Sequence, residues 1–586
     1  MAGGAGVSII PSVGTGGVGG ESVYGLSLDQ TIASIAGVQP ILTANLATGQ
    51  AWLRGRVMPS DSIPGFTSPR ASAATAQTLD GRILSFLSGV AARVPGRGQL
   101  IQEARTNLCL QSQTFDNASW TKSNLTVTAD AIAAPDGTTT ADLLTVTTTA
   151  ATNINQSVGA VTGTNCCASI YVQNNNRSDT STSYILYDAT AAANRVSCSV
   201  NWAAMTVSGT GASIERLGST NWYRIILVDT AWTSGNVARF YAGAGGGSLT
   251  GGLAWYQWGA QVEAAASPSS YIPTTSSSAT RLADAPVIDL LNPGLYDVSG
   301  QPELVTNGDF ASNINGWAAT STNVSASWSA GKLRVACAAN LASGHVANAA
   351  ITTVVGRLYR FAFDFVTDAQ TGNSFAFVGT SLGGNQNLAA NIGSALGSYA
   401  FMFRATSTTT YLEFGTSTLS LLGDYFEIDN VSLKQVPDDQ VIDYPCTIWV
   451  EFERAVDTGN TTEMLLILDD NSASNRLYCA VNVNDQFRYL SSSGGTTDGD
   501  ANVSTPTVAT GAVGRGAVAF AANNMRGAFA GTLGGLDSAC AAPAAPPNKI
   551  RFGSNITGGN ECCGYIRAFS IVPSRCPDAI LQRLAP

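Results

Sequence analysis

Tyr359-Arg360-Phe361-Ala362-Phe363-Asp364-Phe365 alternates large aromatic residues with small or charged ones along its whole length. Successive side chains of an extended chain point to opposite faces. Tyr359, Phe361, Phe363 and Phe365 therefore share one face, and Arg360 and Asp364 lie on the other. This is the pattern of a half-buried antiparallel strand. The same period returns at Ile448, Val450 and Phe452. Short apolar runs separated by Gly, Ser, Thr and Asn turns, almost without helical spacing, predict an all-β chain of tandem β-sandwiches.

Outward from this strand, one layout of segments occurs twice. The first copy opens at Asn107-Leu108, continues through Phe115 and Trp120, and closes with Trp255-Tyr256-Gln257-Trp258-Gly259-Ala260-Gln261-Val262-Glu263. The second opens at Asn307-Gly308-Asp309-Phe310, continues through Trp317, and closes with Tyr425-Phe426-Glu427-Ile428-Asp429-Asn430-Val431-Ser432-Leu433. Between these ends, Ala168 to Val172 corresponds to Tyr359 to Phe365, Asn221 to Ile226 to Ser398 to Phe403, and Arg239 to Tyr241 to Tyr411 to Phe414. A duplicated β-module multiplies surface, whereas an enzyme usually needs one site, so the layout points to a binding or structural protein. The expected organisation is an N-terminal arm (1–65), a β connector (66–105), a first sandwich (106–265), a linker (266–302), a second sandwich (303–436) and a third (437–586). The arm reads as either an attachment segment or a poorly ordered tail. Ser27-Leu28-Asp29-Gln30 fits a capping box opening one short helix. Asp80-Gly81 marks a hairpin, and Asp578 to Leu584 has the spacing of a terminal helix.

At 586 residues the chain needs several cores. Charged residues make up 12%, about half the usual share, which suits sandwiches with polar but uncharged faces. A net charge of −10 argues against nucleic acid, whose binding rests on excess Lys and Arg. The N-terminus lacks the charged and apolar regions of a secretory signal. No stretch approaches the roughly 20 apolar residues of a membrane span.

Four cysteines (Cys109, Cys166, Cys167, Cys198) fall in the first copy, Cys337 in the second, and Cys446, Cys479, Cys540, Cys562, Cys563 and Cys576 in the last block. Even counts allow disulfides whose pairing stays open. The other reading is reduced thiols acting as small hydrophobes. The adjacent pairs favour bridges, because one member of each would face outward, towards a partner subunit. Zinc is disfavoured by spacing and by the single histidine, His345. One histidine and no phosphate-binding loop give little support to catalysis. Asp438-Asp439 and Asp469-Asp470 read as solvated loops.

Several separated strings carry a resemblance. Phe66-Thr67-Ser68-Pro69-Arg70-Ala71-Ser72-Ala73-Ala74-Thr75, Asp80-Gly81-Arg82, Glu103-Ala104-Arg105-Thr106-Asn107-Leu108, Phe115 to Lys122, Ala134 to Asp142, Trp258 to Glu263 and Ser270 to Thr275 occur in an order that resembles virion proteins of tailed bacteriophages. The match spans about residues 66 to 282. It implies a fibre, spike or collar element in the virion, assembled in the host cytoplasm. The element would be a homo-oligomer, a trimer being favoured, docked to other virion proteins through its N-terminal region and adhering to host-surface glycan. Disulfides would then close late, in the released particle. The second copy resembles jelly-roll carbohydrate-binding modules through its opener and closer. The last block resembles concanavalin A-like and laminin-G-like sandwiches through Thr447 to Phe452 and Gly564-Tyr565-Ile566-Arg567. Such modules stack sugars on exposed aromatics, which makes Trp232 and Trp328, with their turn-like polar neighbours, the candidate platforms. Trp120, Trp222, Trp317 and Trp449 are expected in cores. The resemblance also implies a structural calcium between first and last strands, at Asp309 and Asp429, and no other cofactor. The first copy has no acid at the matching place, Ala260 or Gln261. A purely architectural decoration protein and a polysaccharide depolymerase remain as alternatives.

Overall fold

The computed structural model describes residues 26–455, 462–555, 562 and 564–586. The first 25 residues of the expected arm, and Cys563, lie outside the described residues. Of those described, 26–62, 66–287 and 444–586 form one compact unit, and 63–65 with 288–443 form another.

The second unit is a sandwich of two antiparallel sheets. One orders Trp317–Ala319, Gly344–Asn348, Thr409–Thr416, Ser374–Gly379 and Leu388–Gly393. The other orders Val324–Trp328, Leu333–Cys337, Tyr425–Gln435, Leu358–Ala369 and Gly397–Arg404. The alternation in Leu358–Ala369 is what fixes its face. Tyr359, Phe361, Phe363 and Phe365 are all within 2% of full burial, and Phe363 meets Phe414 of the facing sheet edge-on at 4.9 Å. Burying each such ring contributes roughly 1.5–3 kcal/mol.

The first sandwich, inside the larger unit, repeats this strand order one for one. Its sheets run Thr121–Ser123, Ala150–Ala160, Val237–Leu249, Thr180–Asp188, Ala193–Asn201 and Leu125–Ile132, Ala141–Val146, Ala254–Glu263, Cys166–Asn174, Tyr223–Asp229. Thr206–Ser208 and Ala212–Arg216 are added at the edges. One bulge coincides as well. The register between Cys166–Asn174 and Ala254–Glu263 shifts at Gly259, and that between Leu358–Ala369 and Tyr425–Gln435 at Asn430. Both residues are left-handed, with φ +66° and +51°, a conformation open mainly to Gly and Asn. This alignment places Trp258, rather than Ala260 or Gln261, at the counterpart of Asp429.

The remaining described chain of the larger unit builds a third sandwich and departs from the expected organisation. Cys446–Arg454 and Gly564–Val572 are central in one sheet, yet Gly564–Val572 also pairs with Leu42–Asn45 (Leu42 opposite Ile571) and with Gly98–Ile101 (Gly564 opposite Ile101). Leu42–Asn45 continues into Gln50–Leu53 and Arg56–Pro59. Residues 42–59 are thus strands of the last sandwich rather than a separate arm. Leu42 and Ala44 are fully buried, and the unpaired edge they cover is the physical reason. The helix Leu28–Ala36, capped as expected by Ser27 and Gln30, packs Ile32 beside Trp449, Leu581 and Leu584. The facing sheet includes Thr496–Val503, Phe487–Ser493, Arg476–Val481, Glu463–Asp469 and Lys549–Phe552. Asp469 belongs to it, is fully buried and pairs with Arg551 at 2.7 Å, so it is not the solvated loop acid its sequence setting suggested.

The separated strings between residues 66 and 282 converge in space, joined by the chain as far as Asp284. Arg70 and Arg281, each 1% exposed, both grip the buried Asp284, whose carboxylate also accepts the Gln102 N–H at 3.0 Å. The Asn107 amide donates to Ala260 O and Ile272 O and accepts from the N–H groups of Cys109 and Val262. Tyr271 packs 4.4 Å from Trp258. Residues 266–276, expected as part of a linker, are therefore sewn to the first sandwich.

Candidate functional site

The structure separates the two candidate platforms. Trp232 is 2% exposed within the core of the first sandwich and cannot offer a face to sugar. The polar residues that follow it in sequence form a turn, in which Asn236 N–H donates to Thr233 O at 3.1 Å. Trp328 is 47% exposed. It ends the edge strand Val324–Trp328 opposite buried Leu333, and its indole N–H donates to Phe310 O at 2.8 Å. It is a rim residue, open on one side. Trp120, Trp222, Trp317 and Trp449 are buried.

The calcium pair fares differently. The opener does meet the closer, since Val431 N–H donates to Gly308 O at 2.8 Å. Asp309 is exposed and Asp429 half-buried. No group of three or more His, Cys, Asp or Glu side chains among the described residues is arranged to hold a metal. Two carboxylates supply only part of calcium's six to eight oxygen ligands, and backbone carbonyls would have to supply the rest.

Cys109, Cys166, Cys167, Cys198, Cys479, Cys540 and Cys576 are buried free thiols rather than bridges, and Cys446 and Cys562 are buried as well. Both members of the Cys166-Cys167 pair are within 1% of full burial. One faces the sandwich core. The other lies on the face that the returning chain covers, where Arg224 donates to Ser269 O. Burial pushes the thiols of Cys166, Cys198 and Cys479 up to about 12, so none supplies a thiolate near neutral pH.

The constellation that sequence reasoning did not single out lies on the outer face of the second sandwich. In Ser374–Gly379 the small residues Ala376 and Val378 face the core, which leaves Phe375 and Phe377 half-buried on the outside. Their rings stack at 5.7 Å and 15°. His345, from Gly344–Asn348, stacks on Phe377 at 4.6 Å and 19°. The strand between them makes this possible. Gly415 stands opposite both His345 and Phe375, and a Cβ there would come 2.7 Å from His345 Cδ2 and 3.1 Å from Phe377 Cε2. Glu413, fully buried, anchors the histidine: His345 Nδ1 lies 2.7 Å from its Oε2. Its Oε1 accepts the Gly383 N–H at 2.7 Å, which ties down the bordering loop. A carboxylate only accepts, so Nδ1 carries the hydrogen and Nε2 is left for a ligand. The result is a shelf of three stacked rings with one oriented polar tip. The corresponding sheet of the first sandwich has Tyr187 and Tyr241 meeting at 89° instead.

No protein-family model matches the chain, and no curated protein matches it. Among solved structures it is similar to the tandem CBM22-1–CBM22-2 domain of Paenibacillus barcinonensis Xyn10C, at 12% identity over 57% of this chain and 98% of that one, with a TM-score of 0.19. It is also similar to domains LG4-5 of the mouse laminin alpha1 chain (11% identity, 46% of this chain, 91% of that one, TM-score 0.17). A third is the LG1-3 region of the laminin alpha2 chain (9% identity, 72% and 96%, TM-score 0.17). The fold rests on the strand pairing above and not on these likenesses. No helix among the described residues is long and apolar enough to cross a membrane.

Proposed function

We propose that this chain is a binding and display protein whose second sandwich takes a neutral sugar on the shelf of His345, Phe375 and Phe377. The observation that carries this reading is the stacked, half-buried aromatic row on an open sheet face beside a histidine oriented by a buried carboxylate. Rings on a solvent face offer the C–H side of a pyranose an apolar partner, while Nε2 and nearby backbone supply directional hydrogen bonds. Trp328 on the rim is a second, smaller platform. A structural part in a tailed-phage virion, as an oligomeric fibre, spike or collar element, is supported by the strings between residues 66 and 282, and adhesion to host glycan unites the two. Screening the full chain and its Phe377→Ala variant on an array of bacterial surface polysaccharides tests the reading. The wild-type chain is expected to bind neutral chains and the variant to lose at least tenfold. An array on which neither binds leaves a purely architectural role, and shortening of the polysaccharide on incubation would make the chain a depolymerase.

A further inference from the structure

Two basic side chains stand together on the other sheet of the same sandwich. Arg360 and Lys434 stand directly opposite each other on Leu358–Ala369 and Tyr425–Gln435. They share a face, both are half-buried, and neither has an ion-pair or hydrogen-bond partner among the described residues. Like charges directly opposite on paired strands repel, so the fold gains nothing from this pair. One nearby carboxylate is already saturated. Glu303 accepts the N–H groups of Leu304, Val305 and Leu433 and the Ser432 hydroxyl. The cations open into a cavity of about 380 Å³, lined also by Pro293, Tyr296, Asp297, Ser299 and Ser432. Asp297 is the one acid in this lining, and its carboxylate accepts the Ser299 N–H at 2.9 Å.

The first sandwich shows what the fold does with this register when nothing is to be bound. Its counterpart pair is Cys167 and Glu263. There the glutamate, 1% exposed, is sealed by Gln261 and by both the N–H and the hydroxyl of Ser269. One copy has a buried, satisfied acid; the other has two half-buried basic side chains facing a cavity that holds a single acid, Asp297.

We infer that the Arg360–Lys434 cleft binds a carboxylate-bearing sugar residue, a uronic acid within an acidic polysaccharide. The guanidinium fork takes the carboxylate side-on and the ammonium adds a point charge. The cavity is large enough for one sugar ring, with the Tyr296 ring and the Ser299 hydroxyl on its wall. That the anion is borne on sugar rests on the glycan-binding reading; the cation pair does not. The two sites lie on different sheets, so one can fail without the other.

The test titrates the full chain with an oligomer of galacturonic acid, with the same oligomer fully methyl-esterified, and with inorganic phosphate. The acid oligomer is expected to bind and the ester to bind at least tenfold more weakly, with the difference shrinking as salt rises. Arg360→Gln and Lys434→Met should each weaken binding about tenfold while leaving the melting temperature unchanged or higher, which a merely structural role would not do. Phe377→Ala should leave this binding intact. Equal affinity for acid and ester, variants that bind as well as the parent, phosphate binding without oligomer binding, or loss on Phe377→Ala would each overturn the assignment.

Discussion

Glu427→Gln is expected to remove a pH-dependent clamp from the second sandwich. Glu427 is 4% exposed and accepts hydrogen bonds from Ser329 Oγ and Thr367 Oγ1 at 2.7 Å each, and from Arg334 Nε and Nη2 at 3.0 and 2.7 Å. Lys332 Nζ lies at 3.8 Å. Burial alone would push this carboxyl up, but the hydrogen bonds from Ser329, Thr367 and Arg334 and the charge of Arg334 outweigh it and hold the group at about 2, against an ordinary 4.5. At ~1.4 kcal/mol per tenfold, that difference corresponds to roughly 3 kcal/mol. The side chains of Lys332 and Arg334 are 28% and 36% exposed, so solvent screening reduces the contribution to about 2 kcal/mol. The folded-state value is depressed, so the stabilisation is complete above the unfolded value of 4.5 and disappears as pH falls from there towards 2. The assay is hydrogen exchange of the Leu333–Cys337 and Tyr425–Gln435 peptides in the full chain, with wild type and variant compared from neutral pH downward. The variant should be less protected by about 2 kcal/mol at neutral pH, and the gap should close as the medium becomes acidic. A gap that is absent at neutral pH, or constant with pH, would refute the reasoning.

Other outcomes follow from the same geometry. Gly415→Ala forces His345 and Phe377 apart, since the new Cβ would sit 2.7 Å from His345 Cδ2. It should cost about 1–3 kcal/mol by thermal melting and abolish sugar binding while the sheet survives. Asn107→Ala removes an amide making four buried hydrogen bonds. A loss of about 3 kcal/mol or more is expected in denaturant unfolding of the larger unit. Truncating residues 1–62 strips Leu42–Asn45 from the edge of Gly564–Val572. Light scattering should show aggregation, whereas a dispensable arm would leave a monodisperse chain.

How far the fold could be read depended on the range of the information. The duplicated sandwich was legible because the alternating period is local and each segment sits between its own turns. All the paired segments, from Ala168–Val172 against Tyr359–Phe365 to the two closers, occupy equivalent strands. The partner of Leu42–Asn45 was not legible: a four-residue strand has almost no period, and nothing in it names Gly564–Val572 across more than five hundred residues. The shelf was hidden by the apolar rule itself. Ser374-Phe375-Ala376-Phe377-Val378 alternates cleanly, but both faces are apolar, and the larger residues are the ones turned outward. His345 had no visible motif because its carboxylate lies 68 residues away in sequence. Trp232 misled in the other direction, its polar neighbours marking a turn that follows a buried ring.

The central claim is that the second sandwich recognises sugar through its outer aromatic row. The most direct measurement is an NMR or calorimetric titration of the full chain with a neutral polysaccharide identified on the array, following the His345 ring. Binding should perturb the His345 resonances and be lost in Phe377→Ala with the fold intact. Binding that leaves His345 unperturbed and survives Phe377→Ala would contradict the account.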